Sequence, residues 1–246
     1  MTPPTIAELG AAVWTTWPGE AVTDTPAFAL RRSGDDSRRS RAATANRAVT
    51  DTEIAEAAAT MRSWGQPAMF WVPSDAPEFE AQLDALGYRG HDHSDYLAGS
   101  VPQMAARTPP RVTTFEIWEP LAIMADMWAG HGISHARQQV MHRATCPKTA
   151  ILGRVDAKPA ATAYVGAAGR LAMLHSLVTL PNHRRKGLGA HVMAQAAIWA
   201  ARQGCDWLTL AVGSDNAAAQ ALYASLGMEA VGQYHYRTLD ISGESP

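Results

Sequence analysis

The sequence predicts an α/β (α+β) fold: a mixed, largely antiparallel sheet flanked by helices, preceded by a shorter and degenerate copy of the same unit. Three observations carry this. First, TAILGRVD, PAATAYVG and RLAMLHSLVTL follow one another between 149 and 180. Each mixes β-branched, aromatic and Leu residues between Gly or Pro punctuation, the pattern of antiparallel strands joined by short turns. Second, the periodicity then changes to helix, strand, helix, strand across 188–240. Third, SDAPEFEAQLDALGY at 74–88 returns without gaps, 140 residues later, as SDNAAAQALYASLGM at 214–228. Ser74, Asp75, Ala81, Leu86 and Gly87 recur as Ser214, Asp215, Ala221, Leu226 and Gly227, and MFWV (69–72) falls on TLAV (209–212). Agreement of strand, helix and stop glycine at one offset reads as an internal repeat.

Taken in order, the first half offers the mixed-charge stretch RRSGDDSRRSR (31–41), which reads as a solvated loop or strand pair because Asp35 and Asp36 break up its cations. The strand-like SRAATANRAV then runs straight into TDTEIAEAAATMRSWG, where Thr50 and Glu53 have capping-box spacing. VPQMAARTPPR (101–111), with Pro102 and the Pro109-Pro110 pair, reads as a linker. The expected units are therefore 1–104 and 112–241. Two helical segments open the second unit, LAIMADMWAG (121–130) and SHARQQVMHRA (134–144), the latter with Ser134 as a cap. After the three strands, LGAHVMAQAAIWAARQG (188–204) has a helical apolar stripe ending at a glycine. The strand WLTLAV, the helix NAAAQALYASLG and the strand AVGQYHYRTLD close the chain.

Composition narrows the function classes. With 246 residues, 47% hydrophobic and 18% charged, and a net charge of -2, the chain can bury cores for two small domains and shows no bias towards nucleic acid. Its start, MTPPTIAELG, lacks a basic stretch followed by an apolar one, and no run approaches the roughly 18 apolar residues of a membrane span. A cytoplasmic protein without membrane or nucleic-acid partners is the expectation. Cys146 and Cys205 stand apart from each other and from any metal-ligand spacing, so neither a disulfide nor a metal is expected.

The chemistry concentrates in PNHRRKGLGA (181–190), between a strand and a helix. Gly187 and Gly189 allow close approach of backbone to a ligand, and the first amides of the following helix lack intrahelical acceptors and carry the positive end of its dipole. With Arg184, Arg185 and Lys186 beside them, a polyanion is the fitting ligand. Alone, the string reads more readily as a tight turn bearing solvated cations. It is neither a Walker loop, which needs GK[ST], nor a dinucleotide fingerprint, which needs a third glycine.

Together, VTLPNHRRKGLGA and, some 25 residues on, SDNAAAQALYASLGM resemble the two signature segments of the GNAT superfamily of acyl-CoA N-acyltransferases, over roughly 113–240. The resemblance implies a GNAT-like fold and acetyl-CoA as cosubstrate. It assigns the pyrophosphate to Arg185, Lys186, Gly187, Leu188, Gly189 and Ala190, with the Arg184 cation beside them as a further cofactor-binding candidate, and the pantetheine arm to Leu177, Val178 and Thr179. Tyr223 takes the family's tyrosine position, as the acid that protonates the leaving thiolate; outside the motif it would read as a core aromatic. Asn216 either caps its helix or bonds coenzyme A. His175 is the candidate proton acceptor, placed by period two on one face with Met173, Leu177 and Thr179; Met173 fills the position where many members carry a glutamate.

The implied function is transfer of acetyl to a primary amine of a small molecule or peptide, directly in a ternary complex. Two alternatives stay open: a non-catalytic acyl-CoA-binding module, or transfer of another acyl group. The first copy is expected to be inactive, because Leu83 and Ala76 stand where the second has Tyr223 and Asn216, and no glycine loop precedes its helix. Trp128, Ser134, Arg137, Tyr164, Tyr234 and His235 are candidates for the acceptor pocket. The oligomeric state is open, a homodimer included.

Overall fold

The computed structural model describes residues 1–239; the last residues of the expected second unit, 240–241, lie outside the described residues. The first half runs α1 (Ile6–Thr16), β1 (Ala21–Asp24), β2 (Phe28–Arg32), α2 (Arg38–Arg41), β3 (Thr44–Ala45), α3 (Asp51–Ser63), β4 (Met69–Pro73), α4 (Pro77–Ala85) and β5 (Arg89–Ser100). The second runs α5 (Val101–Ala105), β6 (Thr114–Ile117), α6 (Ala122–Ala129), α7 (His135–Arg143), β7 (Lys148–Val155), β8 (Lys158–Ala168) and β9 (Leu171–Thr179). A 3-10 turn (Pro181–His183), α8 (Leu188–Arg202), β10 (Trp207–Gly213), α9 (Ala217–Ser225) and β11 (Glu229–Thr238) complete it. The helix starts follow their caps. Thr5 with Glu8 and Thr50 with Glu53 both make complete capping boxes, and Ser134 accepts from the amide of Arg137.

Among the described residues, eight strands form one sheet in the order β4-β11-β5-β10-β9-β8-β7-β6, in which only β9 and β10 run parallel. β1, β2 and β3 form a second antiparallel sheet, joined to the first by a parallel bridge between Ala43 and Phe70. The mixed, largely antiparallel α/β architecture is thus as expected. The repeat is visible in three dimensions: α4 and α9 have bounds 140 residues apart, and their stop glycines Gly87 and Gly227 sit at φ 83° and 84°.

The strands of the two halves alternate. β5 of the first half lies between β10 and β11, and β11 of the second lies between β4 and β5. The registers respect the same offset: Val212 opposes Asp95 in one pair, and Val72 opposes His235 in the other. Under this two-fold relation the pair Tyr234–Ser94 maps onto itself. The sheet therefore runs across the expected linker. VPQMA within it is a helix rather than a tether, with Val101 and Met104 buried against α8. Pro102 sits in its first turn, where a missing N–H costs no hydrogen bond.

Alternation along the strands of the large sheet separates the packing on its two faces. Ile151, Val165, Leu208 and Leu210 pack under α8 with Val192, Met193 and Trp199. On the opposite face lie α1, α6 and α7, with Leu9, Met173 and Tyr236 in one cluster and Met124, Trp128, Met141 and Tyr164 in another. α1 reaches over from the first half and touches the sheet closely: a Cβ on Gly232 would lie 2.6 Å from Ile6.

The stretch 31–41 is solvated only in part. Asp35 is buried and accepts from the Ser37 amide at 2.7 Å, the Ser40 hydroxyl at 2.6 Å and Arg143 at 3.3 Å. Arg31 is buried too, donating to Ala42 O and Thr44 Oγ1 and lying over Trp14. Arg31 and Asp35 turn inward because each finds a partner there, which spacing along the chain does not reveal, while Arg32 and Asp36 stay exposed. Cys146 and Cys205 are both free thiols. Among the described residues no helix is long and apolar enough to cross a membrane, and no group of three or more His, Cys, Asp or Glu could hold a metal ion.

Candidate active site

The site begins where two strands part. β9 pairs with β10 only from Leu171/Trp207 to Leu174/Leu210, although β9 continues to Thr179. Beyond Leu174 the β10 side of β9 presents unpaired backbone groups. Against β8, the register slips between Thr162 and Tyr164, which face Val178 and His175, so β9 holds one residue more than its partner. Ser176 sits in this bulge at φ 54°, and the indole of Trp128 donates to its carbonyl at 2.8 Å.

Leu177, Val178 and Thr179 line one wall of a cavity of about 850 Å³. Arg184, Arg185 and Gly187–Ala190 form its floor, and Asn216, Leu222 and Tyr223 of α9 form the opposite wall. Lys186 is exposed and is not part of this wall. Gly187 precedes α8 at φ 78°, and no side chain caps this helix. The first amide to find an intrahelical acceptor is that of His191, which bonds to Gly187 O. The amides of Leu188, Gly189 and Ala190 are thus free to meet an anion at the cavity floor. Gly189 is needed for proximity: a Cβ there would lie 3.1 Å from Leu222. Arg184 ties the loop back to the strand through Thr179 O at 3.1 Å.

Tyr223 is 7% exposed, and burial pushes its phenol up to about 12. Its hydroxyl makes no hydrogen bond among the described residues. Asn216 caps α9 by accepting from the Ala219 amide at 3.1 Å and also lines the cavity, so the two roles weighed for it are compatible.

A model of the acetyltransferase (GNAT) family matches residues 120–228, the segment that builds this cavity. Residues 120–228 belong to the GNAT family. A curated relative, the uncharacterized N-acetyltransferase YobR of Bacillus subtilis (strain 168), is 34% identical over 64 residues, and the match spans about a quarter of each chain. Among solved structures, a GCN5-related N-acetyltransferase from Kribbella flavida superposes with a TM-score of 0.74 at 21% identity, covering 98% of both chains. A tandem GNAT protein from the clavulanic acid biosynthesis pathway covers 100% of this chain and 90% of its own, with a TM-score of 0.61 at 14% identity. Both likenesses concern the fold.

Within the GNAT segment, His175 does not meet the expectation of a proton acceptor. The bulge reverses alternation after it, so Leu177 packs with the α8 core while His175 points to the opposite face, near α1. The ring is 2% exposed, packed between Trp17 and Tyr164 at centroid distances of 5.0 and 5.9 Å. Thr16 Oγ1 lies 2.8 Å from Nε2 and gives its own hydrogen to Ala12 O. Arg39, which can only donate, lies 3.4 Å from Nδ1. Both nitrogens are therefore committed, with the proton on Nε2. Burial, aided by the Arg39 cation, holds the imidazole's pKa well below 6.5.

That burial has a stability consequence. Below about pH 6.5 the unfolded chain protonates this ring while the folded chain does not, so stability falls on acidification. Denaturant titrations at pH 7 and pH 5 should show a larger loss for the native protein than for His175→Gln; equal losses would reject the assignment.

His131, which no motif marked, faces the GNAT cavity. Its Nδ1–H donates to Met127 O at 2.8 Å, which leaves the Nε2 lone pair free. Of the residues named for the acceptor pocket, Arg137 and Tyr234 line a second cavity that abuts the first at Ser176 and Ile133. The others are corrected. Trp128 and Tyr164 are fully buried, Ser134 caps α7, and His235 lines a separate cavity with Glu80 and His93.

The first half carries its own cavity beside β4 and α4, bounded by Ala45, Arg47, Ala76, Phe79 and Gln82. Here the helix start is closed. The Thr50 hydroxyl accepts from the Glu53 amide and the Glu53 carboxylate accepts from the Thr50 amide, Glu53 holds Arg47 at 2.6 Å, and Gln82 bonds to Asp51 at 2.7 Å. Arg47 and the Thr50 cap hold the Glu53 carboxyl near 2, so a negative charge occupies the place a phosphate would need.

Proposed function

We propose that this protein is an N-acetyltransferase that moves acetyl from acetyl-CoA to a primary amine in a ternary complex. Residues 112–241 carry the catalysis, and 1–104 are a non-catalytic partner unit. One observation supports this above the rest: the uncapped, glycine-led start of α8 and the partnerless hydroxyl of Tyr223 border one cavity, which opens where β9 leaves β10. In this reading the Leu188–Ala190 amides, with Arg184 and Arg185, hold a diphosphate, and the free edge at Leu177–Thr179 takes an extended amide-bearing arm. Acetyl-CoA supplies the activated acyl group. Tyr223 keeps its proton at neutral pH and can give it to a leaving thiolate.

His131 Nε2 is positioned to accept the proton that the amine loses. His131→Gln should lower kcat/KM by ~10²–10⁴; an unchanged kcat/KM would exclude it. The whole reading is tested by mixing acetyl-CoA with an amine panel and following thiol release. Binding of coenzyme A without release from any amine would leave a binding module.

A further inference from the structure

The second cavity has a charge pattern that specifies its occupant. It measures about 220 Å³, roughly seven waters at about 30 Å³ each, so it suits a small molecule. Three guanidinium groups, Arg38, Arg39 and Arg137, and one carboxylate, Asp92, face it. Two of the cations are neutralised: Arg38 pairs with Asp92 at 2.5 Å and Arg137 with Asp36 at 3.1 Å.

Arg39 is different. Its Nε donates to the Tyr234 hydroxyl at 3.2 Å, one terminal nitrogen to Ala211 O at 3.2 Å, and the other approaches His175 Nδ1 at 3.4 Å. Among the described residues it meets no carboxylate. Three of its five N–H groups are used, and one remains on each terminal nitrogen. Tyr234 accepts from Arg39 and so keeps its own hydrogen to donate; Ser37 accepts from the Trp17 indole at 3.0 Å and does the same. The cavity therefore offers N–H and O–H donors around a half-buried, uncompensated cation. His175 now has a role: as a neutral, fixed acceptor it orients Arg39 without cancelling its charge.

We propose that the acceptor is a small amine that also bears a carboxylate, held by Arg39 with Tyr234 and Ser37 while its amine reaches past the Ser176 bulge to the cleft. This rests on the acetyltransferase reading for the transfer step, but not for the binding. A guanidinium's two terminal N–H groups match the two oxygens of a carboxylate, and a half-buried site strengthens the pair.

The test uses L-α-amino acids, β-alanine and γ-aminobutyrate, each against its carboxamide, in equilibrium titrations and in thiol-release assays with acetyl-CoA. At least one acid should bind about tenfold or more tighter than its amide, as expected for charge-assisted hydrogen bonds. Arg39→Gln should bring that ratio close to one, and Arg39→Lys should keep much of it. Because Arg39 is also a packing residue, thermal unfolding checks each variant; if Arg39→Gln does not fold, Tyr234→Phe should narrow the ratio instead. Acids and amides that bind alike, no acid that binds at all, or a preference that survives Arg39→Gln would each overturn the proposal. Acid-selective binding without thiol release would sustain it and reject the acetyltransferase reading; release without acid preference would do the reverse.

Discussion

Tyr223→Phe lowers kcat by ~10²–10⁴, the range of general-acid contributions, while coenzyme A affinity and the thermal midpoint stay close to those of the native protein. The separation is expected because the ring is what packs. Tyr223 sits in the α8-side core with Leu226 and Met228, and Phe keeps that contact. The hydroxyl has no partner in the fold among the described residues, so its removal strands nothing. Its value near 12 places any loss from phenol ionisation far above neutral pH, so the native profile should stay flat on the alkaline side through ordinary assay conditions. Steady-state kinetics with a coenzyme A titration check this, and equal turnover in both proteins removes Tyr223 from the chemistry.

Gly187→Val weakens coenzyme A binding at least ~100-fold, the equivalent of losing two charge-assisted hydrogen bonds. The cause is backbone, not crowding. A Cβ on Gly187 would meet nothing within 4 Å, but φ is 78°, a region that β-branched residues avoid. Valine would pull the residue out of that conformation and turn the α8 amides away from the cavity floor. Gly187→Asn is the internal control, since Asn tolerates left-handed backbone and should retain most of the affinity. Calorimetric titration of the three proteins decides the matter; native affinity in the valine variant would rule out the loop as the anion site.

Features written into contiguous residues were legible in the sequence. The glycine loop, the Thr50–Glu53 box and the repeat at 140 each depend on neighbours along the chain, and each appears where expected. Features that depend on a count across strands were not. One extra residue at Ser176 put His175 on the wrong face, because period-two alternation assumes an unbroken ladder. Arg39 escaped notice for a related reason: it lies 136 residues before His175, within a charge-mixed stretch whose inward turn depends on Asp35 and Arg143. Pro102 suggested a tether, and only its place in the first turn of α5 shows why a helix accepts it. His131 had no signal, since all that marks it is the cavity it borders.

The alternation of β4, β11, β5 and β10 bears on how such a chain could arise. A polypeptide made of one half alone would leave a slot in its sheet that only the matching strand of another molecule could fill, so it would exist as an obligate, strand-exchanged pair. Joining two copies end to end makes that encounter intramolecular and independent of concentration. Once tethered, one open cleft suffices, and the other copy is free to drift; the Glu53 carboxylate held at the start of α3 is consistent with such drift.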